Sequence, residues 1–211
     1  MKKIYIMFII LGTLSIHSMI SAQEVSKFKL GFEGGAGVSV FQGLLKPGMG
    51  YNGGFTCTYM FTDLISVKSG VNYDHRQSRD EILLHNMNGD VLSHYKNKFN
   101  YDFVSMPVLL KLNFGNHIKF FVETGPEIAY LVNRTFLSED QILNTTTLRN
   151  YTDLNNRFDI RVDFGIGMCF PLSDKLDLSF NFRNSFGFGD LSNTTIKSNS
   201  TLLLVGMSFG L

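Results

Sequence analysis

Asp159, Arg161 and Asp163 stand at alternate positions of one run, and Phe158, Ile160, Val162 and Phe164 interleave with them. In an extended strand, residues two apart share a face, so the charged and the apolar sets line opposite sides. The same alternation puts Lys68, Lys111, Glu123, Glu127 and Arg183 on the polar faces of their own runs, with Lys29, Glu33 and Asp177 beside them. Acids and bases nearly balance in this set. Charges removed from bulk water persist when they are paired, so the expected chemistry is a structural ion-pair network in a filled lumen and not the lining of an open pore. Glu123 and Glu127 are roughly 13 Å apart at strand rise, too far for the paired carboxylates of a glycosidase. His75 and Ser78, with Asp74 and Asp80, gather at one strand end as a candidate nucleophilic site, but no G-x-S-x-G elbow accompanies them. His85 and His94, with Asp80, Glu81 and Asp90, match no zinc or calcium spacing. The expectation is a protein without catalytic residues, metal or cofactor.

Positioning that charged set requires long strands with one greasy face. Eight are read, at 28–41, 49–61, 64–79, 98–114, 118–132, 157–170, 176–188 and 201–211. The connections after the second, fourth and sixth are tight, whereas the others are longer and polar, the longest at 133–156. Regular alternation of short and long connections predicts an all-β fold, an eight-stranded antiparallel up-and-down transmembrane β-barrel with both termini at the periplasmic rim. Phe61, Phe114, Phe170 and Phe209 lie near the short-turn end, and Tyr73, Tyr101, Tyr130 and Phe158 near the other, as two interfacial girdles would. A three-residue turn at Gly115 sets Lys111 opposite Phe121 and diagonal to Glu123, and a similar register sets Asp163 opposite Arg183. Pro107 and Pro126 nearly face each other, which implies a bulge or a local break in the ladder. Cys57 and Cys169 fall on opposite faces and form no disulfide framework. A soluble lipocalin-like barrel is the alternative fold, with the same alternation turned inside out.

The compartment is read from the N-terminus. Lys2 and Lys3 precede an apolar run to about Ile16 and the small-residue exit Ser21-Ala22-Gln23, the pattern of a secretory signal peptide cut after Ala22. The expected domains are therefore a signal peptide at 1–22 and an outer-membrane barrel at 23–211. Losing two of nineteen basic residues leaves seventeen against eighteen acidic, net −1, which argues against nucleic acid as a partner. The expected location is the bacterial outer membrane. Expected partners are outer-membrane lipid, the outer-membrane assembly machinery through the Gly206, Phe209 and Leu211 spacing, and an extracellular or secretion-system protein through the Asn- and Thr-rich loops.

Three further stretches carry a likeness. The run from Phe103 through Met106-Pro107 to Lys111, the run Phe121-Val122-Glu123-Thr124-Gly125-Pro126, and Asp163-Phe164-Gly165-Ile166-Gly167 resemble the PorT-like outer-membrane β-barrel family of Bacteroidetes-type bacteria. Ser105 stands where that family usually has an acid. The resemblance implies an integral outer-membrane barrel without known catalysis, with a founding member associated with protein secretion and gliding. Three functions follow as expectations: a structural or interaction barrel acting through its loops, a narrow conduit or small-ligand barrel, and a rim enzyme modifying lipid A.

Overall fold

The computed structural model describes residues 27–41, 46–85, 91–115, 117–142, 145–150, 157–188 and 197–211. The leader read at 1–22 lies outside them. Among the described residues, nine strands form one antiparallel sheet: β1 Phe28–Phe41, β2 Lys46–Met60, β3 Ile65–His85, β4 Val91–Phe114, β5 Lys119–Asp140, β6 Thr145–Asn150, β7 Phe158–Pro171, β8 Leu176–Gly187 and β9 Ser198–Gly210. Eight of these close into a ring in the order β1-β2-β3-β4-β5-β7-β8-β9, and β9 pairs back onto β1. β6 stands outside the ring and pairs with the far end of β5.

Period-two alternation explains both faces of this wall. Phe55, Leu203 and Ile166 are 77%, 67% and 59% exposed on the outside, whereas Glu123 and Arg161 are 1% and 0% exposed on the inside. A soluble barrel would have these faces exchanged. An apolar exterior around a polar interior is the solution a bilayer imposes on a closed sheet, so the fold is an eight-stranded transmembrane β-barrel.

The tight connections are closed locally. After β2, Thr62 accepts from the Ile65 amide through Oγ1 (3.0 Å), while the Phe61 amide donates to the Ile65 carbonyl (3.0 Å). After β4, Gly115 adopts a φ of 97°, which side chains with a Cβ rarely take. At the β1–β9 seam, a Cβ on Gly35 or Gly37 would run into the carbonyls of Leu203 and Thr201, so only glycine permits this approach.

Two features depart from the sequence reading. The connections at 80–97 and 133–156 are not simply loops: β3 and β4 stay paired out to His85 and Val91, and β5 continues to Asp140, where β6 joins it. The cause on β5 is a bulge. Asp102 faces Asn133 and Phe103 faces Leu131, so Val132 is extra and side-chain parity flips beyond it. The prolines, in contrast, produce no shift. Pro107 faces Glu127 and Leu110 faces Thr124 in one continuous register, with the pairs between them missing from the ladder.

Candidate functional site

The inward faces of β1, β3, β5 and β8 bring four ionised side chains into a closed ring near the short-turn half of the lumen. Lys68 donates to Glu33 (2.9 Å) and lies 3.0 Å from Glu123 Oε2. Arg183 donates from Nη2 to Glu33 (2.7 Å) and Glu123 (2.8 Å), and from Nε to Glu123 (3.1 Å). Asn181 adds a bond to Glu123 Oε1 at 2.7 Å. Two acids alternate with two bases around the ring, which is how buried charge avoids an uncompensated group.

A second layer lies toward the long-connection end. Arg161 donates to Asp74 (2.6 Å) and Asp159 (2.7 Å), with Glu127 at 3.5 Å. Arg76 donates to Asp74 (2.7 Å) and to the hydroxyls of Ser198 and Ser185 (3.1 Å each). Arg161 also meets an apolar patch of the inner wall. Its guanidinium carbon stands 4.2 Å from the Phe103 ring centroid, a cation–π contact. Phe103 belongs to a buried cluster with Phe41, Tyr101, Ala129 and Leu131, and the Phe41 and Tyr101 rings are 4.3 Å apart. This aromatic lid packs beside the second layer, with Phe103 opposite Asp74, Tyr101 opposite Arg76 and Ala129 opposite Asp159. Tyr101, expected in the lipid-facing girdle, is 2% exposed and belongs to this lid.

Each residue expected in the network faces inward, but several partners differ. Lys111 lies opposite Glu123 and Asn113 opposite Phe121, while Gly165 faces Arg183 and Asp163 faces Ser185. The turn at Gly115 takes up two more residues than the sequence reading allowed, and the turn after β7 keeps its length but starts one residue later; each moves the register by two. A two-residue shift preserves side-chain parity, so the inward set is unchanged while the cross-strand pairs move. Among the described residues Lys111 makes no ion pair within 4 Å, and its ammonium sits 3.7 Å from the Phe121 centroid. Asp74 and Arg76 are members that the sequence reading missed. They share parity with Lys68 on β3, a signal obscured by the apparent rim site of His75 and Ser78. Ser105, buried on the inner wall, puts a hydroxyl where the PorT-like resemblance leads one to expect a carboxylate.

That apparent rim site comes apart. Ser78 is inward and bonded to the Lys46 carbonyl (3.1 Å), and Asp74 is inward in the second layer. His75 points the other way, 2.6 Å from Asp102 and stacked on Tyr51 at 4.7 Å. A nucleophile and base on opposite faces of a strand cannot share a proton. His94 lies opposite Leu83, and Asp90 is outside the described residues.

Solved structures align with this chain over most of its length, and one of them, Neisserial surface protein A, shares its fold. It aligns at 11% identity over 88% of this chain and 98% of its own, with a TM-score of 0.51. OprG from Pseudomonas aeruginosa aligns at 12% identity over 90% and 98%, with a TM-score of 0.43. Ail of Yersinia pestis aligns at 13% identity over 87% and 99%, with a TM-score of 0.40. A search of curated protein sequences found no match. The outer membrane protein beta-barrel domain family matches residues 13–193, and with its apolar wall, ion-paired lumen and eight-stranded ring this chain belongs to that family and is a small barrel of the bacterial outer membrane.

Proposed function

We propose that the protein is a non-conducting, non-catalytic scaffold that displays a sheet outside the cell for a protein partner. The observation that carries this reading is the contrast between the two parts of the sheet. Inside the wall, an ion-pair ring, a second charged layer and the aromatic lid beside it occupy the lumen. Beyond it, β3 to β6 continue as a paired projection, reaching roughly 30 Å past His75 at strand rise. Leu83, Leu84, Val91 and Leu148 are exposed on that projection, beyond the lipid-facing band. Apolar side chains there have no lipid to cover them, which suits contact with another protein.

The test has two parts. Purified protein in planar bilayers is expected to give no conductance steps. A photo-reactive residue at Leu83 or Leu148 in living cells is expected to give a discrete protein adduct that the same residue at lipid-facing Ile166 does not. Steady conductance, or no adduct at either projecting position, overturns the reading. The likeness of 103–111, 121–126 and 163–167 to PorT-like barrels supports a narrower version in which the partner belongs to a secretion system. Deletion of the protein would then impair secretion, and normal secretion would exclude it. Export by a signal peptide cut after Ala22, and recognition of β9 by the assembly machinery, belong to the same proposal.

A further inference from the structure

At the end of the lumen facing the short turns, the side chains do not fill the barrel. A cavity of about 60 Å³ lies beside the Glu33–Lys68 pair, several times the roughly 10–15 Å³ that one water requires. Its walls come from the short-turn ends of all eight strands in the ring, and its charge is unbalanced. Asp177 is taken by Lys29, and Glu33 by Lys68 and Arg183. Lys111 and Lys119, from the adjoining ends of β4 and β5, also line the cavity. Neither has a carboxylate within 4 Å among the described residues, and the Lys111 ammonium is held against the Phe121 ring. Ser66 and Asn113 add hydrogen-bonding groups, already bonded to each other at 3.1 Å.

We propose that this cavity binds a small dianionic oxyanion of the phosphate class, entering from the short-turn side and held by Lys111 and Lys119. Two uncompensated ammonium groups in a partly enclosed space match a ligand with two negative charges. A singly charged carboxylate would leave one of them unanswered. Lysine suits the task because it meets phosphate as a point charge with rotatable donors. The site is at the opposite end of the barrel from the projecting sheet and stands independently of the scaffold reading.

Cys169 lines the cavity and serves as a reporter, while Cys57, on the other face of the wall, is removed as Cys57→Ser. The full barrel is refolded in phosphate-free detergent micelles. Cys169 is then titrated with two thiosulfonate reagents of similar size, one carrying a sulfonate and one a quaternary ammonium. The anionic reagent is expected to react faster by on the order of tenfold, as a focusing positive site requires. Lys111→Met with Lys119→Met should abolish that preference, and Lys119→Met alone, at the rim, should reduce it if the double variant fails to fold. Inorganic phosphate should slow the anionic reagent more than sodium chloride at matched ionic strength. Protection in vesicles containing phosphatidic acid, whose phosphomonoester can carry two charges, without added phosphate would identify the occupant as a lipid headgroup of the same chemistry. Equal rates for the two reagents, a faster cationic reagent, no reaction at Cys169, or protection by chloride as strong as by phosphate would each overturn the proposal.

Discussion

Arg183→Met probes the ion-pair ring where its geometry is most constrained. Arg183 is 3% exposed and makes three donor contacts of 2.7 to 3.1 Å with Glu33 and Glu123. Without it, both carboxylates must share Lys68, and one negative charge is left buried without a partner. Breaking a buried pair from one side costs about 3–5 kcal/mol, a shift of more than about a hundredfold in the unfolding equilibrium. At a urea dependence of about 2 kcal/mol/M, the midpoint should fall by about 2 M. The chain has no Trp, so unfolding from lipid vesicles is best followed by far-ultraviolet circular dichroism and by the heat-dependent gel shift. The second variant adds Glu33→Met to Arg183→Met. It leaves Lys68 and Glu123 as a balanced pair, and should recover at least about 1.5 kcal/mol relative to simple addition of the two single losses. An unfolding free energy for Arg183→Met within about 0.5 kcal/mol of the parent, or strict additivity in the double variant, would refute the ring as a unit of stability.

Truncating the aromatic lid with Phe103→Ala should cost about 3–5 kcal/mol, because a fully buried ring is lost against neighbours that cannot collapse; a urea midpoint close to the parent would show the lid to be loosely packed. Ile166→Arg, at mid-strand on the lipid face, should destabilise by about 2–4 kcal/mol, while Phe209→Arg near the rim should cost about 0–1 kcal/mol, and equal losses would contradict the assigned depth. Deleting Val132 removes the bulge and leaves Phe136, now 4.9 Å from Phe99, on the same face, because Leu131 and Asn133 then oppose Phe103 and Asp102 in regular alternation. The barrel should keep its heat-dependent gel shift and 133–150 its resistance to limited proteolysis, and cleavage within 133–150 would show that the projection needs the bulge.

Side-chain facing was legible in the sequence because it depends on parity alone. Lys68, Lys111, Glu123, Glu127, Asp159, Arg161, Asp163 and Arg183 keep the same face under any even shift of register, which is why the strands could slide by two at two turns without moving one of them outside. Cross-strand partners depend on the length and position of each turn, and the two extra residues around Gly115 and the one-residue offset of the turn after Pro171 lie in backbone geometry that hydropathy does not encode. Val132 hid the projection for a related reason. One unpaired residue reverses the alternation, so the strand looks finished at the point where it bends. Tyr101 looked like a girdle residue from its depth, but it shares parity with Phe103 and Ser105. The polar-inside rule for barrels gives no warning of an apolar lid.

The β1–β9 seam gives this wall a folding consequence. Thirteen residue pairs join the first strand to the last, so the ring cannot shut until the whole chain has been delivered. Loop closure between its ends costs about 5 kcal/mol by logarithmic scaling, and these pairings are the most non-local in the molecule, the kind expected to form slowly. Until they form, β1 and β9 are open edges, each a template for pairing with another chain. Gly35 and Gly37 stand along that edge without side chains to obstruct the approaching strand. Larger residues there would place their steric penalty on the closing step, so variants at these two glycines should accumulate as unclosed, aggregation-prone chains rather than as destabilised barrels.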